Sequence, residues 1–299
     1  MKKVALVLGS GGARGLTQIG VIQYLVERDF EITSIAGCSM GSVIGGVYAA
    51  GHLNDFTNWI CNLDRFGVFG LMDFTLNAQG FIKGDRVFDE MKKFVDEINI
   101  EELPIPYAAV SVDMNREEQV IFRSGDLFSA IRASVSIPSV LTPVSKNGAL
   151  LVDGGVMNPL PLDIVKRSKD DIVIAVDLNA KGEYDFDMKW KKGRQDELKE
   201  EESKWKKAID KMFADVFKGL SSKKSDKRGY LQLLQGSFDL IQKQLTKIML
   251  SNHKPDILIQ VPKKSADTFD FFRAEEMIAY GRHLAEEAIE KYESKSESA

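Results

Sequence analysis

The stretch Ile32-Thr33-Ser34-Ile35-Ala36-Gly37-Cys38-Ser39-Met40-Gly41-Ser42 decides the fold. Ile32, Ile35 and Ala36 form a short apolar run that reads as a buried strand. From Ser42 to Ala50 the small residues Gly45, Gly46, Ala49 and Ala50 alternate with Val43, Ile44 and Val47, a helix stopped by Gly51. A strand turning straight into a helix at Ser39 strains the serine backbone, and only side chains as small as glycine fit two positions away. Gly37 and Gly41 fill those positions. The helix start behind Ser39 points free N–H groups and a partial positive charge at an oxyanion. Ser39 is therefore the candidate nucleophile on an α/β scaffold. Cys38 lies one residue before it but lacks glycine at both second neighbours.

Upstream, Lys3-Val4-Ala5-Leu6-Val7-Leu8 is a second buried-strand pattern, running into Gly9-Ser10-Gly11-Gly12-Ala13-Arg14-Gly15. A helix follows with Ile19, Ile22, Leu25 and Val26 on one face. A phosphate-binding P-loop needs a Gly-Lys-Ser/Thr ending that is missing here. A dinucleotide fingerprint starting at Gly9 would need glycine where Arg14 stands, and its second strand would lead to a ribose-binding carboxylate, not to the Ser39 turn. What remains is a loop of unhindered backbone N–H groups near a nucleophile, an oxyanion hole.

Serine of ordinary acidity needs a base. The chain has three histidines, His52, His253 and His283. His52 follows Gly51 at a helix end, where capping explains it, and neither of the others is approached by an apolar strand. Asp153 is better placed, because Ala149-Leu150-Leu151-Val152 is an apolar strand and Asp153-Gly154-Gly155 follows it directly. Taken alone, these residues read either as an Asp-Gly turn or as a carboxylate held at a strand end.

The three motifs in this order resemble the patatin-like phospholipase family, with its glycine loop ending in Arg-Gly, its G-x-S-x-G elbow and its later Asp-Gly-Gly. Ala133-Ser134-Val135-Ser136-Ile137-Pro138 is similar to the family's Ala-Ser-x-x-x-Pro segment, and Phe271 to Ile278 to the start of its closing helix. The resemblance covers residues 1–182 and 251–292. It implies Ser39 as nucleophile, Asp153 as its partner in a dyad without histidine, and an oxyanion hole at Gly11, Gly12, Ala13 and Arg14, with Gly37, Gly41, Gly154 and Gly155 supporting the turns. It also implies lipid acyl-ester substrates. Ser10 departs from the pattern, since many members carry glycine there. Such chemistry requires no metal or organic cofactor.

Over the 299 residues, strands near 3–8, 32–36, 107–113, 118–123, 149–152, 172–178 and 256–261 alternate with helices near 15–28, 41–50, 84–98, 126–135, 160–168 and 273–292. Continuous runs such as Ile172 to Val176 belong to a sheet covered on both faces, so the expected fold is an α/β three-layer sandwich with a mostly parallel sheet, patatin-like, plus a helical insertion. Residues 1–292 then form one catalytic domain, with 293–299 as a solvated tail. The insertion spans 183–250, where 16 Lys or Arg stand against 10 Asp or Glu between Asp187 and Leu250. Two amphipathic helices are readable there, Trp205 to Leu220 and Leu231 to Ile248, fitting a lid, a membrane-surface contact, an oligomer contact or added core. A net charge of −4 argues against a nucleic-acid partner. Two cysteines, Cys38 and Cys61, give neither a disulfide framework nor a cysteine-rich metal site. Without a signal segment or a long apolar run, the expected location is the cytoplasm, with peripheral membrane contact open through 183–250.

Overall fold

Strand Lys2–Leu8 (β1) lies inside the sheet with Val4 to Leu8 fully buried, as its unbroken apolar run requires. In the computed structural model, which describes residues 2–77, 80–186 and 227–297, helix Thr17–Glu27 (α1), strand Phe30–Cys38 (β2) and helix Met40–Ala49 (α2) come next. Helices Leu53–Cys61 (α3) and Arg65–Leu71 (α4) precede a two-stranded ribbon, Phe74–Asn77 (β3) and Gly80–Ile82 (β4), and helix Asp85–Met91 (α5). Strands Tyr107–Asp113 (β5) and Glu118–Phe122 (β6), helix Leu127–Ser134 (α6), and strands Val144–Lys146 (β7), Ala149–Asp153 (β8) and Ile172–Ala180 (β9) follow. Helix Lys227–Asn252 (α7), strand Ile257–Pro262 (β10) and helix Ala274–Glu297 (α8) complete the described chain.

Among the described residues eight strands make one sheet in the order β10-β9-β1-β2-β5-β8-β7, with β6 also paired to β5. From β10 to β5 the pairing is parallel, and β6, β7 and β8 run antiparallel to their neighbours. Strand β5 changes partner along its length. Tyr107 to Val110 pair with β2, and Ser111 to Asp113 pair with β8 arriving from the opposite direction. Cys38 thus ends opposite Val110 and Asp153 ends opposite Ser111. Two strand ends remote in sequence meet over adjacent residues of β5.

Alternate side chains serve opposite faces of the sheet. Ala5, Val7, Val173 and Ala175 pack with Leu160 and Leu162 on one face. On the other, Gly45 of α2 comes against Ile35, Leu8 and Tyr107, while α1 and α8 pack against each other. Helix, sheet and covering layer make the three-layer α/β sandwich.

One expected helix is absent. Residues 160–168 form turns rather than a helix, because Pro159 and Pro161 remove donors and bias their predecessors to extended backbone. Leu160, Leu162 and Ile164 then alternate into the core with an extended period. The helix expected over 84–98 ends at Met91. The last helix runs on through Glu297 instead of giving way to a tail at 293, since Lys2 and Arg28 both pair with Glu293 at 2.7 and 3.1 Å.

By internal contacts the chain divides into Met1–Tyr184 with Gln242–Ala299, and Asp185–Ile241. Of the two helices expected in the basic segment, Trp205 to Leu220 lies outside the described residues, and Leu231 to Ile248 fall within α7. No helix among the described residues is long and apolar enough to cross a membrane.

Candidate active site

Ser39 joins β2 to α2 with φ 54° and ψ −124°, a conformation that costs a non-glycine residue about 1–3 kcal/mol. Its neighbours explain the two glycines. A Cβ on Gly41 would stand 2.1 Å from the Leu8 carbonyl oxygen, and one on Gly37 would stand 2.5 Å from that of Gly41. Ser134, from the Ala133 to Pro138 segment, accepts the Ser39 N–H at 3.0 Å, and the Ser42 hydroxyl donates to the Ser39 carbonyl at 2.6 Å. These two hydrogen bonds hold the turn at its N–H and its carbonyl.

Asp153 is completely buried. Its Oδ1 accepts the Gly155 N–H at 2.7 Å and faces the Cys38 thiol at 4.0 Å. Burial pushes its pKa up to about 7, against smaller opposing effects of the Ser39 hydroxyl and the Gly155 N–H. The serine thus acts on this carboxyl as a hydrogen-bonding neighbour, although Oδ2 has no partner at bonding geometry. Burial and the same carboxylate push the Cys38 thiol well above its ordinary range, which keeps it protonated and unsuited to attack.

The glycine loop is fastened by side chains from elsewhere. Gln18 donates to Gly9 O at 2.9 Å, and Asn179, at the end of β9, donates to Ser10 O at 2.9 Å. The Arg14 guanidinium is buried and donates to the carbonyls of Leu178 at 2.9 Å and Ala266 at 3.0 Å. It pins the loop rather than offering its charge to a substrate. The Ala13 N–H is engaged by Thr268 O at 3.0 Å. Among the described residues no acceptor meets the N–H of Gly11 or Gly12, nor that of Met40 at the start of α2. Gly12 has φ +57°, and a side chain there would meet Thr268 O at 2.8 Å. Of the four residues expected at the oxyanion hole, Gly11 and Gly12 keep their N–H groups unengaged, and so does Met40, which sequence motifs did not single out.

Ser39 is nearly buried, yet it borders a cavity of about 160 Å³. Phe56, Trp59, Ile60, Val68, Phe88 and Met91 are among the apolar residues lining it. They come from α3, α4 and α5. The i, i+3, i+7 spacing of Leu53, Phe56 and Ile60 was the available signal for α3.

A family profile described as patatin-like phospholipase matches residues 6–166. The chain belongs to the patatin-like phospholipase family. This patatin-like chain is 34% identical, over 97% of its length and 92% of the other's, to an uncharacterized NTE family protein of Mycobacterium tuberculosis. Over 60% of its length it is 33% identical to lysophospholipase NTE1 of Cryptococcus neoformans, of which it spans 11%. Among solved structures, VipD from Legionella pneumophila aligns with 96% of this chain and 67% of its own, at 14% identity and a TM-score of 0.43. The matched patatin span holds Ser39, Asp153 and the glycine loop, whereas Asn179, which fastens that loop, comes from outside it.

None of the three histidines of this patatin-like chain borders the cavity or bonds to Ser39 or Asp153. His52 pairs with Asp55 at 3.1 Å, His283 lies 3.5 Å from Glu287, and His253 closes the end of α7 through Met249 O. No cluster of three or more His, Cys, Asp or Glu able to hold a metal ion occurs among the described residues.

Proposed function

We propose that this chain is a serine-dependent lipid acyl hydrolase of phospholipase A, lysophospholipase or carboxylesterase type, working through an acyl-enzyme on Ser39 with Asp153 as base. The observation that carries the reading is a strained serine that borders an apolar cavity beside the unengaged N–H groups of Gly12 and Met40, with the buried Asp153 carboxyl acting on its hydroxyl from behind. Family membership supports the lipid substrate class. The name of the Cryptococcus relative, a lysophospholipase, points the same way.

Ser39 Oγ attacks the ester carbonyl while its proton passes to Asp153 Oδ2. Negative charge on the carbonyl oxygen falls among the N–H groups of Gly11, Gly12 and Met40. Collapse of the tetrahedral intermediate breaks the bond to the alcohol, which leaves with the proton from Asp153. A water then attacks the acyl-serine, gives its proton to Asp153 and releases the fatty acid as the serine recovers its own. The acyl chain lies in the cavity, whose volume matches one that holds a six-carbon ring when lined by Leu, Ile and Phe. Residues 183–250 are assigned as an insertion in this one catalytic domain, working at the cytoplasmic face of a membrane. Exposed Leu233, Leu234, Leu240 and Ile241 along α7 support that placement.

Labelling with a serine-directed fluorophosphonate tests the reading. Wild type is expected to label, Ser39→Ala to be blank, and Asp153→Asn to label at least about 100-fold more slowly. Labelling that persists in Ser39→Ala removes the proposed enzyme.

A further inference from the structure

Helix α7 buries two polar side chains among the apolar ones it packs inward. Leu240, Ile241 and Ile248 are exposed, whereas Gln242 and Thr246, one turn apart, are 4% and 3% exposed. Burying polar groups costs free energy unless they are used, and Thr246 Oγ1 has no partner. Gln242 is used. Its Nε2 donates to Ser10 Oγ at 3.2 Å, across 232 residues of sequence. Ser10 is thereby held at all its polar atoms, since its N–H goes to Pro159 O at 2.9 Å and its carbonyl takes the Asn179 amide. It is also the residue at which the glycine loop departs from the family pattern.

The same amide reaches the other half of the site. A Cβ built on Gly155 would lie 2.1 Å from Gln242 Nε2, 3.0 Å from Asp153 Oδ1 and 3.1 Å from Ser10 Oγ. Gln242 therefore occupies the space that glycine leaves at position 155. It stands between the loop carrying Gly11 and Gly12 and the turn whose Gly155 N–H holds Asp153.

We propose that Gln242 is a positioning residue of the catalytic centre, wedged against Gly155 and bonded to Ser10, through which helix α7 fixes the oxyanion loop relative to the Asp153 turn. The inference rests on Ser39 and Asp153 acting as proposed above. Without the wedge, loop and turn relax toward the vacated space and the donors lose register with the carbonyl oxygen. A misplacement of about 1 Å costs on the order of 100-fold in rate. Substrate binding depends on the apolar cavity, whose lining includes neither Gln242 nor Ser10 nor Gly155.

The test is steady-state hydrolysis of a p-nitrophenyl hexanoate by Gln242→Ala, Gly155→Ala, the double variant and Ser39→Ala, with thermal melts alongside. Gln242→Ala is expected to lower kcat by roughly 10- to 100-fold with KM changed less than about threefold. Gly155→Ala is expected to fall at least as far, because its methyl meets the Gln242 amide. Adding Gln242→Ala to Gly155→Ala is then expected to recover about tenfold, since the two changes share one space. Gln242→Leu keeps bulk but not the donor, and it carries the kcat test if Gln242→Ala does not fold. Should the Gln242 variant keep kcat within about twofold of wild type while Ser39→Ala is dead, the inference fails and the dyad stands. A double variant no better than Gly155→Ala also overturns it. Turnover surviving in Ser39→Ala overturns both.

Discussion

Replacing Asp153 with Asn is expected to make the protein more stable at alkaline pH while disabling it. The carboxyl ordinarily titrates at 3.8, and burial moves it to about 7 in the folded chain. A folded-state pKa above the unfolded one contributes stability that is fully present below about pH 3.8 and lost as pH rises through about 7. The whole gap is worth about 4 kcal/mol, of which about 2 kcal/mol is lost between pH 5.5 and 8.5. Asparagine binds no proton in either state, so its stability lacks that slope. Urea unfolding of wild type and Asp153→Asn across this window is expected to show the variant gaining about 2 kcal/mol on wild type, with every other titrating group cancelling. In the proposed mechanism the same protonation controls catalysis. Only the ionised carboxylate accepts the serine proton, so kcat/KM of wild type is expected to rise about tenfold per pH unit up to about 7 and then level off. Parallel stability curves for the two proteins, together with a rate unchanged down to pH 5, would refute the buried-base reasoning.

Gly41→Ala is expected to destabilise by about 3 kcal/mol or more, because its methyl would sit 2.1 Å from Leu8 O, and an unchanged urea midpoint would contradict the elbow geometry. In a series of p-nitrophenyl esters, kcat/KM is expected to climb about fourfold per methylene to about six acyl carbons and then flatten, while Val68→Trp moves the break to shorter chains. Arg14→Lys is expected to cost about 2–4 kcal/mol of unfolding stability, since a single ammonium does not reproduce the fork that reaches Leu178 O and Ala266 O.

What could be read from the chain alone follows from how local each constraint is. Ser39 announces itself because its strain and the approach of Leu8 O and Gly41 O are imposed within a few residues, leaving Gly37 and Gly41 as the only fits. Strands β1, β5 and β9 carry continuous apolar runs and β2 the shorter run of Ile35 and Ala36, and all read plainly. Asp153 does not, because its nearness to Ser39 is set by the partner change at Val110 and Ser111 of β5, which leaves no local trace. The expected helix at 160–168 shows the opposite error. Apolar content drew the helix, and the two prolines with the alternation of Leu160, Leu162 and Ile164 should have prevented it. Helices α3 and α4 are only nine and seven residues long, and with them the cavity wall stayed hidden. Gln242 has no motif at all, since a glutamine at a helical position declares nothing until its neighbour is known.

The partner change in β5 also has a consequence for how the protein is made. Cys38 and Asp153 stand 115 positions apart, and Ser10 and Gln242 are separated by twice that distance. During synthesis Ser39 emerges early, but Asp153 arrives only with β8 and Gln242 only with α7. Such long-range pairings form late and slowly. A nascent or truncated chain therefore carries the strained Ser39 elbow without the buried carboxyl of Asp153, and the site is assembled only after both have been made.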